Sequence, residues 1–164
     1  MVLPDVIQLI ERHADQLTAE LIADLKSNPR TSFLHNRSTE DLEQRAHRIY
    51  SHLGRWLAED DPAEIENLYG EAARRLHAAD VPLSEVVYVL ILIKRHVWDF
   101  LKRNLLVDSI SDLYQLEEMG VHLSKFFDEA IYVGVKAYEA VRPSWKDPQL
   151  MLSLIHISEP TRPY

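Results

Sequence analysis

Between Asp80 and Asn104 the chain reads DVPLSEVVYVLILIKRHVWDFLKRN, and its uninterrupted apolar run, Val86 to Ile93, constrains the fold more than any other stretch. Crossing a bilayer as a helix takes about 20 apolar residues. This run has eight before Lys94 and Arg95 break it. The segment therefore reads as the central helix of a bundle, buried by other helices of the same chain, and not as a membrane span.

Those other helices are written in the spacing of apolar residues. Val6, Ile10, His13, Leu17, Leu21 and Leu25 recur at helical intervals and predict one helix from Pro4 or Asp5 to Lys26, ended by Asn28-Pro29. A polar loop through Asn36 follows. Ser38 or Thr39 then caps a second helix, Glu40 to about Ala58, with Leu42, Ala46, Ile49, Leu53, Trp56 and Leu57 on its apolar face. Asp61-Pro62, a cap followed by a first-turn proline, opens a third helix to about Ala79, carrying Ile65, Leu68, Tyr69, Ala72 and Leu76. After the central helix, Ser109 with Asp112 three residues on resembles a capping box and starts a last helix to Ala140, stopped by Arg142-Pro143. Only four glycines and no Asn-Gly or Asp-Gly turn argue against sheet. The expected fold is all-α, a single bundle of about five helices over residues 1–141.

Composition narrows function by exclusion. A chain of 164 residues is long enough to bury a core without staples. Cysteine is absent, which removes disulfides, thiolate metal sites and cysteine nucleophiles. The N-terminal MVLPDVIQLIERHADQ has no basic segment followed by an apolar one, so no signal peptide is expected and the chain reads as cytoplasmic, with no membrane partner. Net charge is −8 with no concentrated basic patch, which disfavours duplex nucleic acid as a partner.

Leu113, Leu116, Gly120, Leu123, Phe127, Ala130, Gly134, Ala137 and Val141 fall on the alternating three-four spacing of a coiled-coil seam. Leu123, Phe127, Gly134 and Ala137 are accordingly candidates for a homodimer contact or for an exit helix leading to a further domain; packing within the chain's own bundle is the alternative. Residues 142–151 read as a linker. From Leu152 the character changes: LSLIHISEPTR is similar to a translated sequencing-library adaptor, so residues 152–164 read as a non-native tail, with any output domain missing from this chain.

Catalytic signatures are absent: no phosphate loop, no Gly-x-Ser-x-Gly elbow and no paired carboxylates, so an enzyme is not expected. Lys94 is the polar residue that stands out, because Val87, Ile91, Trp98 and Leu101 share its stripe. It reads either as a ligand-facing cation or as a lysine snorkelling to the bundle edge, stacked on Trp98. Trp56, Tyr69 and Trp98 are core aromatics that would serve as cavity walls, and with Lys94 they form the ligand-binding candidates. His13, His77 and His96 lie near apolar faces, and a haem-binding gas sensor using His77 or His96 is a second reading. Glu43 with His47 and Glu118 with His122 have chelate spacing but fall on polar faces, so no metal and no cofactor is expected.

The run RIYSHLGRWLAEDDPAEIENLYGEAARRLHAADVPLSEVVYVLILIKRHVWDFL, Arg48 to Leu101, resembles the RsbRD-type N-terminal domain found at the head of bacterial RsbT co-antagonists, histidine kinases and some transcription regulators. The features that carry the likeness are Leu-Gly-Arg-Trp-Leu at the end of the second helix, the paired arginines after Tyr69, the Val81 to Val86 entry and the Lys94 to Trp98 segment. The resemblance implies a helical input domain related to non-haem globins that dimerises and signals through its last helix to a kinase, STAS or helix-turn-helix output. A ligand-free interaction scaffold is the remaining alternative.

Overall fold

The computed structural model describes residues 3–59 and 61–141. They fold as α1 (Leu3–Arg12), α2 (Ala14–Ser27), a 3-10 segment (Pro29–Asn36), α3 (Thr39–Glu59), α4 (Pro62–Ala78), α5 (Leu83–Asn104) and α6 (Ile110–Ala140), with no strand among them. The all-α bundle expected from periodicity is what forms. The residues assigned to linker and tail, 142–164, lie outside the described part.

Where sequence predicts one first helix there are two, and His13 makes the break. Its Nδ1–H donates to the Leu9 carbonyl at 2.9 Å while its backbone N–H is shared between the Leu9 and Ile10 carbonyls, both at 3.2 Å. The ring packs at 5.2 Å from that of Phe100 on α5. A side chain bonding into the helical ladder is a recognised cause of a kink, and a buried ring contact holds it.

The expected polar loop is also folded. Thr31, fully buried, donates its hydroxyl to the Leu25 carbonyl at 2.8 Å, and the Lys26 ammonium donates to the carbonyls of His35 and Arg37. From the other side the buried Glu85 carboxylate accepts the Phe33 N–H at 3.0 Å. These bonds satisfy a polar backbone close to the core, and they seat Leu34 inside it.

α5 begins three residues later than the apolar pattern suggests, because Asp80 belongs to the end of α4. Asp80 has φ 60°, its N–H bonds the His77 carbonyl at 2.9 Å, and the Val81 N–H reaches back to Leu76 at 3.0 Å. That pair of bonds is a Schellman termination. Asp tolerates the left-handed conformation better than bulkier residues, and the buried Val81 next to Leu76 completes it.

The caps legible in sequence are made, and of Ser38 and Thr39 it is Ser38 that caps α3, its hydroxyl accepting from Asp41 N–H at 3.4 Å. Asp61 accepts from Ala63 N–H at 3.0 Å and Ser109 from Asp112 N–H at 3.1 Å, while the Asp112 carboxylate accepts from Asp108 N–H at 3.2 Å. Ser109→Ala is expected to lower stability by about 1 kcal/mol, read as a lower urea midpoint at unchanged slope.

α5 packs on α2 and α6, α3 on α1 and α2, and α4 lies along α6. Val86, Leu90, Ile93, Val97, Phe100 and Leu101 are the buried face of α5, whereas Val87, Ile91 and Lys94 are only half-buried. No described helix is long and apolar enough to cross a membrane.

Candidate functional site, an apolar cavity with an arginine rim

Because α3 and α4 follow one another in sequence yet pack chiefly on different partners, a cleft remains between them, floored by α2 and α5. It holds a cavity of about 350 Å³. Leu25, Ile49, Leu68, Leu76, Val86 and Leu90 are among its walls, and Gly134 of α6 lies at its back. Size and lining are those of small-molecule sites in helical proteins.

The polar residues of the lining are gathered on the exposed side. α3 contributes Asp41, Gln44, Arg45 and Arg48, and α4 contributes Arg75. Arg45 Nε lies 3.3 Å from Asp41 Oδ1, so that pair is neutral as a unit. Arg48 and Arg75 are exposed and make no ion pair among the described residues. The rim thus carries two uncompensated positive charges on a chain of net charge −8.

One wall group is conspicuous. Tyr69 is 3% exposed and its hydroxyl has no hydrogen-bond partner. Burial pushes its phenol far above the usual tyrosine range, so the hydroxyl stays a neutral donor. Its ring is held edge-on by Trp56 at 6.3 Å and Phe126 at 6.0 Å. Tyr50, buried on α3, is likewise pushed up, by burial first and then by Glu20 and Tyr69, and its hydroxyl is also unpartnered.

Of the four ligand-binding candidates, only Tyr69 lines this cavity. Trp56 stands behind it, stacked at 5.6 Å on His52. Lys94 is half-buried on a different flank and makes no hydrogen bond or ion pair among the described residues, which is the snorkelling arrangement. The cation over Trp98 is Lys102, with Nζ 5.8 Å from the ring centroid. Trp98 itself is seated on Gly120 of α6, where an added Cβ would come within 2.8 Å of the indole.

The dimer and exit-helix candidates also move. Leu123, Phe127 and Gly134 are buried within the chain's own bundle, and Ala137 is half-buried against α4, its Cβ 3.8 Å from where a Gly70 Cβ would stand. The small residues of α6 do admit a close neighbour; that neighbour is α4 or α5.

The histidines have local partners. His96 Nε2 lies 2.8 Å from Asp24 Oδ2, tying α5 to α2, and His122 Nε2–H donates to the Leu57 carbonyl at 2.6 Å. His77 packs edge-on to Tyr138 at 4.8 Å, and Tyr138 donates its hydroxyl to the Val81 carbonyl at 2.6 Å. His47 pairs with Asp15 of α2 at 2.9 Å, not with Glu43. No histidine lines the cavity, so the residues there do not fit a haem, and among the described residues no group of three or more His, Asp or Glu side chains could hold a metal ion.

Sequence reasoning missed the three arginines and the gap that gathers them. Each sits beside an apolar stripe, Arg45 next to Ala46, Arg48 next to Ile49, and Arg75 next to Leu76, a boundary position that reads as ordinary solvated surface until α3 and α4 are known to stand apart.

These features define the class: an all-α bundle domain enclosing an apolar cavity, closed by a long C-terminal helix. The chain belongs to the family described as RsbT co-antagonist protein rsbRD N-terminal domain, whose model matches residues 11–149. No curated protein and no solved structure matches the chain. The family match takes in α2 to α6 and leaves most of α1 outside it.

Proposed function

We propose that this chain is a non-enzymatic input domain of a bacterial signalling protein, which dimerises and passes a signal through α6 to an output module such as a kinase, STAS or helix-turn-helix domain. The family match carries this reading, since the family is by its description the N-terminal domain of a co-antagonist protein. Switching then consists of a change in helix packing, in which a signal stabilises one arrangement over another. α6 is the element suited to transmit it: it touches both α4 and α5 and runs for 31 residues.

The dimer surface in this reading is the outward face of α6 and not its seam. Ile110, Leu113, Tyr114 and Val121 on its first half are all more than half exposed, and Leu106 and Val107 precede them. An apolar patch of this kind marks an interaction site. Sedimentation of the purified chain is expected to show a dimer at micromolar concentration, and Ile110→Glu with Tyr114→Glu is expected to yield a folded monomer, since both side chains are exposed. A wild-type chain that stays monomeric at high micromolar concentration contradicts the dimer.

A further inference from the structure

The walls and the rim of the cavity ask for different things from a ligand. A cavity of about 350 Å³ whose inner walls are leucine, isoleucine and valine offers water few polar partners. An apolar body fills it. At the exposed side, Arg48 of α3 and Arg75 of α4 have no carboxylate partner among the described residues, and the third arginine, Arg45, is already engaged by Asp41. Guanidinium groups so placed favour an anionic head and disfavour a cationic one. Tyr69 adds ring surface to the wall, its hydroxyl being buried out of reach of solvent.

We propose that the cavity between α3 and α4 is the binding site for a small amphiphile with one acidic head, its apolar body between the leucine walls and its anion at Arg48 and Arg75. A nucleotide does not suit, because the polar lining residues are confined to the rim and a sugar and base placed deeper would meet apolar walls and backbone already used by helices. A neutral hydrocarbon would fill the space and leave both arginines unanswered. A helical partner segment presents several side chains along a groove and needs more room than a cavity of about 350 Å³ backed by Gly134.

The inference deepens the input-domain reading and rests on it for its meaning: an occupant would wedge α3 from α4, and α4 lies along α6. A carboxylate and a phosphate ester share the chemistry, so both are probed. Titration calorimetry of the 164-residue chain with dodecanoate, dodecyl phosphate and dodecyltrimethylammonium, each below its micellar concentration, is the test. At least one of the two anions is expected to bind with one-to-one stoichiometry, and the cation at least tenfold more weakly. The preferred anion reports whether the natural head is carboxylate or phosphate. Arg48→Glu with Arg75→Glu, both exposed and so compatible with folding as checked by circular dichroism, is expected to reverse that preference. Leu76→Gln, placing a polar amide on the wall, is expected to weaken anion binding at least tenfold with the rim intact.

Equal binding of anion and cation, many weak sites, an anion affinity unmoved by the double substitution, or no binding of either anion overturns the proposal. A chain that dimerises but binds neither anion overturns this inference alone. One that binds an anion as a monomer supports it while contradicting the dimer.

Discussion

Phe127→Ala is expected to lower the unfolding free energy by about 3–5 kcal/mol, equally at low and high protein concentration. Phe127 lies on the heptad-like stripe of α6, and a side chain on such a stripe either anchors a partner chain or fills its own core. The two roles predict different experiments. An interface residue contributes through association, so its loss weakens the dimer and the apparent stability becomes concentration-dependent. Phe127 is 0% exposed within one chain, and its ring meets Phe126 edge-on at 5.3 Å. Truncating it leaves a cavity whatever the oligomeric state. Denaturant unfolding at several protein concentrations separates the cases: a constant loss supports the core role, while a loss that vanishes under dilution to monomer would assign Phe127 to an interface.

The same residue shows what periodicity can and cannot say. Spacing places Leu123, Phe127 and Gly134 on one face of one helix, because that follows from 3.6 residues per turn. Whether the face meets the same chain or another depends on where α4 and α5 lie, and nothing local encodes that. Helix positions and the caps at Asp61 and Ser109 were legible, since each is decided within a few residues. The break at His13 was not, because it needs a ring from α5, far along the chain though adjacent in space, to hold a bond that otherwise competes with the helix. The 3-10 segment was hidden for the same reason: Glu85 satisfies Phe33 from across the bundle.

The candidate site was less legible than the fold. Tyr69 was accessible to sequence reasoning as a core aromatic, but a cavity is a failure of helices to meet, and α3 and α4 each look like ordinary amphipathic helices in isolation. Lys94 stands out in the sequence because a charge interrupts the longest apolar run. Its neighbours Val87 and Ile91 are themselves only half-buried, so the charge lies at the bundle edge and its apparent misplacement disappears. Arg48 and Arg75 do not, since a charged residue beside an apolar stripe is where solvent is expected.

Glycine substitutions give a prediction in which two effects of similar size compete with opposite outcomes. Replacing a helical glycine by alanine gains up to about 1 kcal/mol of helix propensity, and that gain is realised only if the new methyl has room. At Gly134 an added Cβ meets nothing closer than Leu90 Cδ1 at 3.8 Å, an ordinary contact, so Gly134→Ala is expected to stabilise the domain by up to about 1 kcal/mol. At Gly54 the added Cβ would lie 2.7 Å from Ile7 Cγ2 and 3.0 Å from both the Cα and the carbonyl oxygen of Ile7. The Ile7 side chain can rotate, but the backbone can retreat only if α1 moves as a whole away from α3. Overpacking of that kind costs about 1–3 kcal/mol and exceeds the propensity gain. Gly54→Ala is therefore expected to lower the urea midpoint while Gly134→Ala raises it, and amide exchange in Gly54→Ala should accelerate first in α1. Equal shifts of the same sign in the two variants would mean that α1 does not approach α3 so closely, and that the packing of the first helix against the bundle is looser than Ile7 and Gly54 describe.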